Sequence, residues 1–233
     1  MSRSFDKIDD VIDCGSGSSL DNLGPLTYIL SVNPLSAGEN NVGRFLDKAN
    51  ILFTIRTGAV PTSTLALLFE VVGSTTLDRL TLDDFVILNE WHSYAVTWTG
   101  SMTDATTVKM YRDEVEASSY AVTANGATRT SDAASSQLIG ANAAGSATTD
   151  GLIAYVHIFN RVLDINEMRQ IRRFPGSITR GLVGFWPFWG GSPEPDYSGN
   201  KNNGTVTGAL LSTNNPPING VFQVPRPELS YAF

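Results

Sequence analysis

The chain has 233 residues and a formal net charge of −7, and 42% of its residues are hydrophobic. This length and composition suffice for one large domain with a sizeable core, whereas the acidic excess disfavours nucleic acid and anionic membranes as partners. The lone cysteine, Cys14, excludes an intrachain disulfide and a multi-cysteine zinc site, and we expect it to be a small, half-buried thiol.

Alternating hydrophobic and polar residues predict seven β-strands along the chain. The alternation has the period of two at which successive side chains point to opposite faces of a strand. Trp98 shares one strand face with Tyr94 and Val96, so we expect it in the core. In chain order the predicted strands cover residues 51–56, 65–72, 94–98, 108–112, 137–140, 152–159 and 182–186.

One segment, residues 163–173, has the features of a helix. Asp164 can cap its N-terminus, and Glu167 three residues later completes the pattern of a capping box. Arg172 and Arg173 fall at the negative end of the helix dipole, and a Pro-Gly pair follows them. Many strands with one short helix predict an all-β, antiparallel two-sheet sandwich.

Turn residues separate these elements, and Asn125–Gly126 predicts a tight hairpin because both residues tolerate positive φ. The last stretch, residues 213–233, is rich in proline, which cannot donate a hydrogen bond within a sheet. We expect an extended C-terminal arm that contacts a neighbouring subunit through Pro216, Pro217, Pro225, Pro227, Tyr231 and Phe233.

Four motifs, in order, resemble the laminin-G-like, concanavalin A-like family of lectins and glucanases. Residues 4–13 resemble its opening strand, 90–100 its central Trp-His strand, 108–113 the following hairpin, and 150–163 its closing strand. The resemblance implies an antiparallel jelly roll that binds glycans or proteins, with calcium in some members. Fold alone does not choose among these roles.

The chain departs from the family pattern at three places. Lys7 and Glu114 stand where the family has glycine in two turns, and Ala154–Tyr155 replaces an acidic pair of the closing strand. The loss of those carboxylates weakens any calcium site that the resemblance would imply there.

Residues 180–209 resemble the start of such a domain, although they follow the predicted helix. A second, truncated repeat is one interpretation. We favour a circular permutation, in which this segment supplies a strand pair usually found at the N-terminus, because too little chain remains for another sandwich and the termini of compact domains often lie close together. Residues 1–212 would then form a single domain, followed by the arm at 213–233.

The sequence does not favour an enzyme. Glucan hydrolases with this fold carry a Glu-x-Asp-x-x-Glu pattern on one strand, for nucleophile and acid/base duty. The nearest string here, residues 194–199, has Glu194 and Asp196 but lacks the third carboxylate, and its proline and glycine are typical of a loop.

Calcium is a candidate ligand because hard oxygen donors gather at three places, one of which is Glu39–Asn41. The alternative, which we prefer, is that these residues close turns through hydrogen bonds from side chain to backbone. The candidate calcium ligands are Asp196, Ser198 and Asn200, with a second group at Asp6, Asp9, Asp10 and Asp13.

Trp189, with Tyr197 nearby, is the candidate for an aromatic platform on which a sugar ring could stack. It follows a proline and precedes a Gly-Gly loop, which favours exposure. Trp186 lies in an apolar strand, so we expect it in the core.

Taken together, these features predict a non-enzymatic virion structural protein, such as a phage capsid decoration or surface protein, that is made in the host cytoplasm. Residues 1–12 are polar where an export signal would be apolar, and no run reaches the ~18 apolar residues of a membrane span. Its partners would be copies of itself, capsid proteins and host glycans, and deleting residues 216–233 should abolish assembly but not folding. The alternatives are a secreted carbohydrate-binding module and a glycoside hydrolase.

Overall fold

The computed structural model describes residues 1–57, 65–82 and 84–217 of the chain. All seven predicted strands are confirmed, with ends that agree within two residues. The described elements are β1 (Ser2–Asp6), β2 (Val11–Asp13), β3 (Leu26–Pro34), β4 (Val42–Asp47), β5 (Ile51–Thr57), β6 (Leu65–Val71), β7 (Gly73–Thr75), β8 (Leu77–Thr81), β9 (His92–Trp98), β10 (Lys109–Arg112), β11 (Val115–Glu116), β12 (Tyr120–Ala124), β13 (Ala127–Arg129), β14 (Leu138–Ile139), β15 (Asp150–Phe159), α1 (Ile165–Arg173), β16 (Leu182–Trp186), β17 (Thr205–Thr207) and β18 (Leu210–Ser212).

Two large antiparallel sheets form a sandwich, as the strand pattern and the family resemblance predict. Sheet A has the strand order β11-β10-β9-β3-β15-β1-β18, with β16 also paired to β15. Sheet B has the order β12-β8-β6-β5-β4-β14-β2-β17, and β7 and β13 form a separate two-stranded sheet. Each large sheet thus joins strands from distant parts of the chain, which is the architecture of a concanavalin A-like jelly roll.

Aromatic side chains fill the space between the two sheets. Phe69 of sheet B packs 6.1 Å from Trp98 of sheet A, measured between ring centroids, and Phe45 packs 6.0 Å from Phe53. Trp98 and Trp186 are fully buried, as expected. Fully burying one large apolar side chain contributes ~1.5–3 kcal/mol, so this cluster is a main source of stability.

Cys14 lies in the same core and is more deeply buried than the half-buried thiol that we expected. Burial raises the pKa of its thiol well above the ordinary value. Because the thiolate is the reactive form of cysteine, Cys14 acts as a small apolar side chain of the core.

The helix α1 begins at the predicted capping box. The Asp164 carboxylate accepts hydrogen bonds from the backbone N–H groups of Asn166 and Glu167, and the Glu167 carboxylate accepts one from the Asp164 N–H. Met168 and Ile171 pack against the outer face of sheet A. Within the described ranges no helix has the length and hydropathy that a membrane crossing needs.

The hairpin predicted at Asn125–Gly126 is wrong. The strand before it, β12, pairs with β8, whereas the strand after it, β13, pairs with β7 in another sheet. Asn125 instead accepts a hydrogen bond from the Ala105 N–H, and the Gly126 N–H donates to the Met102 carbonyl. A Cβ at Gly126 would lie 2.8 Å from the Leu77 backbone nitrogen, so this glycine permits close packing.

The two departures from glycine fall at positions of positive φ, where glycine is the usual residue. Lys7 has a φ of 69° in the turn between β1 and β2, and Glu114 has a φ of 62° in the β10–β11 hairpin. Glu114 also accepts a hydrogen bond from the Arg172 guanidinium of α1, at 2.9 Å.

The segment after α1 contributes two strands to sheet A and one to sheet B. β16 pairs with β15, β17 pairs with β2, and β18 pairs with β1. The interpretation of this segment as a permuted N-terminal strand pair, within a domain at 1–212, stays a prediction. Of the predicted arm, Pro216 and Pro217 are described, whereas Pro225, Pro227, Tyr231 and Phe233 lie outside the described residues.

Candidate functional site

A groove of about 730 Å³ lies on the outer face of sheet B. Its floor is a row of side chains across three strand pairings: Thr205 faces Asp13, Asp13 faces Leu138, and Leu138 faces Asp47. Residues that pair directly in antiparallel strands point to the same face of the sheet. Two loops, at residues 134–136 and 142–145, form the walls.

Alternation in two short strands explains which side chains face the groove. Ile12 is fully buried in the core, and Val206 packs against the same core. Because side chains alternate along a strand, the neighbours of Ile12 and Val206 must point outward. These neighbours are Val11, Asp13, Thr205 and Thr207, and all four line the groove.

Hydrogen bonds hold both walls in place. The buried Lys48 ammonium donates to the Ser135 carbonyl at 2.7 Å and to the Asp21 carboxylate at 3.0 Å. The Asn142 side-chain oxygen accepts from the backbone N–H groups of Ala144 and Ser146, both at 3.0 Å. A groove whose walls are fixed before binding loses less conformational entropy when a ligand arrives.

The groove is acidic. Asp9, Asp13 and Asp47 line it, and none of the described lining residues is basic. Burial raises the pKa of Asp47, and the hydrogen bond that its carboxylate accepts from the Ala49 N–H opposes this shift. The rest of the lining combines serine, threonine and asparagine side chains with Val11, Leu138 and several alanines. A concavity of this size, with convergent polar groups, suits a polyhydroxylated ligand, whereas its carboxylates disfavour an anionic one.

The predicted aromatic platform lies elsewhere. The rings of Trp189 and Tyr197 are together, with centroids 4.8 Å apart and planes inclined at 60°. Tyr197 also packs edge-on against Phe185, at 6.4 Å, beside α1. Both rings are half-buried, and neither lines the groove.

The predicted calcium ligands Asp196, Ser198 and Asn200 are brought together in a turn next to β16. One Asp196 oxygen accepts from the backbone N–H groups of Phe185 and Ser198, at 3.0 and 2.8 Å. The other accepts from the Ser198 hydroxyl and the Asn202 N–H, at 2.8 and 3.0 Å. These contacts are those of a side chain that closes a turn. Calcium at this position stays a prediction.

Three of the four members of the second acidic group lie close together, whereas Asp13 is not part of that cluster and lines the groove. Carboxylate oxygens of Asp6, Asp9 and Asp10 lie within 4.8 Å of one another, so these three residues could hold a cation. Asp10 is buried and accepts a hydrogen bond from the Asp6 N–H at 2.8 Å. Burial raises the pKa of the Asp10 carboxyl. Asp9 belongs both to this cluster and to the groove.

The first residues of the arm lie against the outer face of sheet A. Pro216 and Pro217 line a small cavity of about 40 Å³ beside α1, together with Trp91 and His92. The Trp91 indole N–H donates to the Asn214 side chain at 2.9 Å. Contact between the arm and a neighbouring subunit stays a prediction.

Most of the groove carries no signal that the sequence alone reveals. Asp13 and Asp9 were candidates for calcium, but Asp47, Leu138, Thr205 and the two wall loops were not singled out. The outward alternation around Ile12 and Val206 was a usable local signal. Nothing local showed that β17 lies beside β2, because these strands are almost two hundred residues apart in the sequence.

Three comparisons with known proteins bear on the fold. The sequence model of the Concanavalin A-like lectin/glucanases superfamily matches residues 6–168, more than half of the chain. A proposed carbohydrate binding protein from Bacteroides ovatus superposes with a TM-score of 0.64 and 16% identity, over 93% of this chain and 60% of that protein. The heptameric SAP-like pentraxin of Limulus polyphemus gives a TM-score of 0.51 and 11% identity, over 73% of this chain and 80% of the pentraxin.

At these identities the structural likeness is one of fold, and this chain spans about 60% of the length of the Bacteroides protein. No curated protein sequence matches the chain.

Proposed function

This chain belongs to the Concanavalin A-like lectin/glucanases superfamily, and on that premise we propose that it is a non-enzymatic glycan-binding protein whose ligand lies in the groove of sheet B. One observation carries the proposal: three carboxylates stand among hydroxyl-bearing side chains on the lining of one rigid groove of about 730 Å³. Neighbouring hydroxyls of a sugar can donate to such carboxylates in charge-assisted hydrogen bonds. The expected ligand is a neutral glycan.

The environment of residues 194–199, the stretch that most resembles the glucan hydrolase motif, supports a function without catalysis. Glu194 is fully buried and its carboxylate accepts two hydrogen bonds from the Arg3 guanidinium, at 2.8 and 2.6 Å. Asp196 is engaged in the turn described above. A general acid or base must reach a proton of the substrate, whereas Glu194 is enclosed by the fold and both Asp196 oxygens accept hydrogen bonds within it. Assays of β-glucan hydrolysis should show no activity.

A glycan array on the purified chain, followed by titration of the best ligand, tests the proposal. Thr205 is exposed on the groove floor, so Thr205→Trp should block binding. Thr75→Trp places the same side chain on an exposed strand of the separate two-stranded sheet and should bind like the unmodified chain. Trp189→Ala should also retain binding. An empty array, or binding that Trp189→Ala abolishes while Thr205→Trp does not, would refute the groove as the site.

We further propose that this glycan-binding sandwich is carried on a virion, as a capsid decoration or surface protein. The support is the proline-rich segment that follows residue 212, whose described part crosses the outer surface of sheet A. Deleting residues 218–233 leaves every described strand in place and should abolish assembly while the chain remains folded. Electron microscopy of the native source should show the chain in a repeating assembly, and a dispersed chain would contradict this placement.

A further inference from the structure

A second, smaller cleft of about 80 Å³ lies on the same outer face of sheet B. Its apolar side is a cross-strand row in which Leu68 pairs with Leu80 and Leu80 pairs with Val122. Its polar side includes Glu70 and Asp78, which also pair directly. Arg56 completes the lining. The cleft is therefore half apolar and half polar, with both signs of charge.

Two of the lining residues carry a buried polar atom that has no hydrogen-bond partner among the described residues. These atoms are the Nε of Arg56, which is a donor, and the Oδ1 of Asp78, which is an acceptor. Buried polar atoms in folded proteins are almost always paired, and an exception points to a water or a ligand that satisfies them. The residues that line the cleft thus carry one unmet donor and one unmet acceptor beside a row of apolar side chains.

The kinds of ligand group that fit this combination are few. A carboxylate would pair with Arg56 but would face the carboxylates of Glu70 and Asp78, and an ammonium group would face the arginine. A hydroxyl that donates to the Asp78 carboxylate leaves Arg56 Nε unmet and the apolar row without a contact. A secondary amide with a methyl group meets all three needs: its carbonyl accepts, its N–H donates, and its methyl packs on apolar side chains.

From this complementarity we propose that the cleft binds the acetamido group of an N-acetylated sugar. The carbonyl accepts from Arg56 Nε, the N–H donates to Asp78 Oδ1, and the methyl lies against Leu68, Leu80 and Val122. This inference rests on the proposed glycan-binding function and specifies its ligand class.

The cleft and the groove lie on one face, so a single chain of sugars could occupy both. Direct pairings run from Asp13 on β2 through Asp47 and Glu70 to Asp78 on β8. This path crosses five inter-strand steps, or roughly 24 Å at the usual spacing of ~4.8 Å between strands. A ligand that fills both sites is therefore an oligosaccharide rather than a monosaccharide.

Glycans arrayed in pairs that differ only by an acetamido group or a hydroxyl at one carbon test the specificity. The N-acetylated member of a bound pair should bind at least about tenfold more tightly, because the hydroxyl leaves the apolar row and one buried polar atom unmet. Equal binding of both members would overturn the acetamido inference and leave the proposed function intact. An empty array would instead count against the proposed function.

N-methylacetamide provides a test of the cleft that does not depend on any glycan. In an NMR titration of the full chain, this probe should shift the methyl resonances of Leu68, Leu80 and Val122 but not those of Val115, an exposed valine of sheet A. An absence of shifts at the three cleft residues would overturn the inference, since water alone would then satisfy the cleft.

Substitutions in the cleft, compared with a matched substitution on sheet A, test whether the acetamido preference arises in the cleft. Val122 is partly exposed at the cleft, so Val122→Trp should fill it and abolish the preference for the acetamido member of each pair. Val115→Trp, the same change on sheet A, should leave the preference unchanged. Arg56→Met should weaken binding of the N-acetylated glycan about tenfold while the hydroxyl member is unaffected. A preference that survives both Val122→Trp and Arg56→Met would contradict the assignment.

Discussion

His157 should make the folded chain sensitive to mild acid. Its side chain is 1% exposed and stacks on Phe185, with ring centroids 4.2 Å apart. Its Nδ1 lies 2.8 Å from the Tyr155 carbonyl, and its Nε2 accepts from the Gly176 N–H at 3.3 Å. This arrangement satisfies the neutral ring, with the proton on Nδ1. A second proton would sit on Nε2 and face another donor.

The magnitude follows from the shifted pKa. Burial lowers the pKa of His157 from 6.5 to about 3, against the opposing effect of the hydrogen bond to Tyr155. Below about pH 6.5 the unfolded chain therefore binds a proton that the native chain does not bind. The contribution of neutral His157 to the free energy of unfolding is fully present above about pH 6.5 and is lost as the pH drops towards 3. At about pH 4.5 the loss amounts to ~2.7 kcal/mol, at ~1.36 kcal/mol per pH unit.

Urea unfolding of the unmodified chain and of His157→Phe at about pH 7 and 4.5 isolates this effect. Phenylalanine keeps the stacked ring but cannot titrate. At neutral pH the variant should be about 1 kcal/mol less stable, because the Gly176 N–H loses its acceptor. At about pH 4.5 the free energy of unfolding of the variant, relative to that of the unmodified chain, should be ~2–3 kcal/mol higher than at about pH 7, which reverses their order of stability.

The unmodified chain must be compared with His157→Phe because other titrating groups have the opposite effect on stability as the pH falls. Burial raises the pKa values of the Asp47, Glu70 and Asp78 carboxyls, so their protonation favours the native chain as the pH falls. These groups are common to both proteins and cancel in the difference. A stability difference that does not change with pH would refute the claim that the native fold holds His157 neutral.

Three further predictions concern turns and caps. Lys7→Gly should raise the free energy of unfolding by up to about 1 kcal/mol, because glycine relieves the positive φ at this position; thermal unfolding that shows no gain would contradict this. Asp164→Ala should cost about 1 kcal/mol in denaturant unfolding through loss of the helix cap, and an unchanged midpoint would mean that α1 is held by packing alone. Asp196→Ala should lower the melting temperature equally with and without added calcium, since its carboxylate closes a turn; a difference that appears only with calcium would establish the metal site.

The sequence was sufficient to predict those elements whose signal lies in neighbouring residues. The capping box at Asp164 and the alternating strands around Trp98 depend on near neighbours, and both are confirmed. The long strand β3 was not predicted, because it is buried on both faces between β9 and β15 and so lacks alternation. The strand β4 was missed for a related reason, since a bulge between Arg44 and Leu46 interrupts its period.

The functional surface was harder to predict than the fold. A tryptophan followed by two glycines favoured an exposed sugar platform at Trp189, but its ring is half-buried. The polar side chains of the groove are instead aspartate, threonine, serine and asparagine, residue types that are also typical of turns. Only the pairing of β17 with β2 and of β14 with β4 makes them one surface, and such pairing between distant segments has no local signature.

Hydrogen–deuterium exchange of the chain with and without a glycan identified on the array tests the central claim most directly. The glycan should slow exchange of backbone amides in the two wall loops, residues 134–136 and 142–145, and in β17. Slowed exchange at residues 189–197, around Trp189 and Tyr197, with no change in the wall loops would contradict the groove as the glycan site.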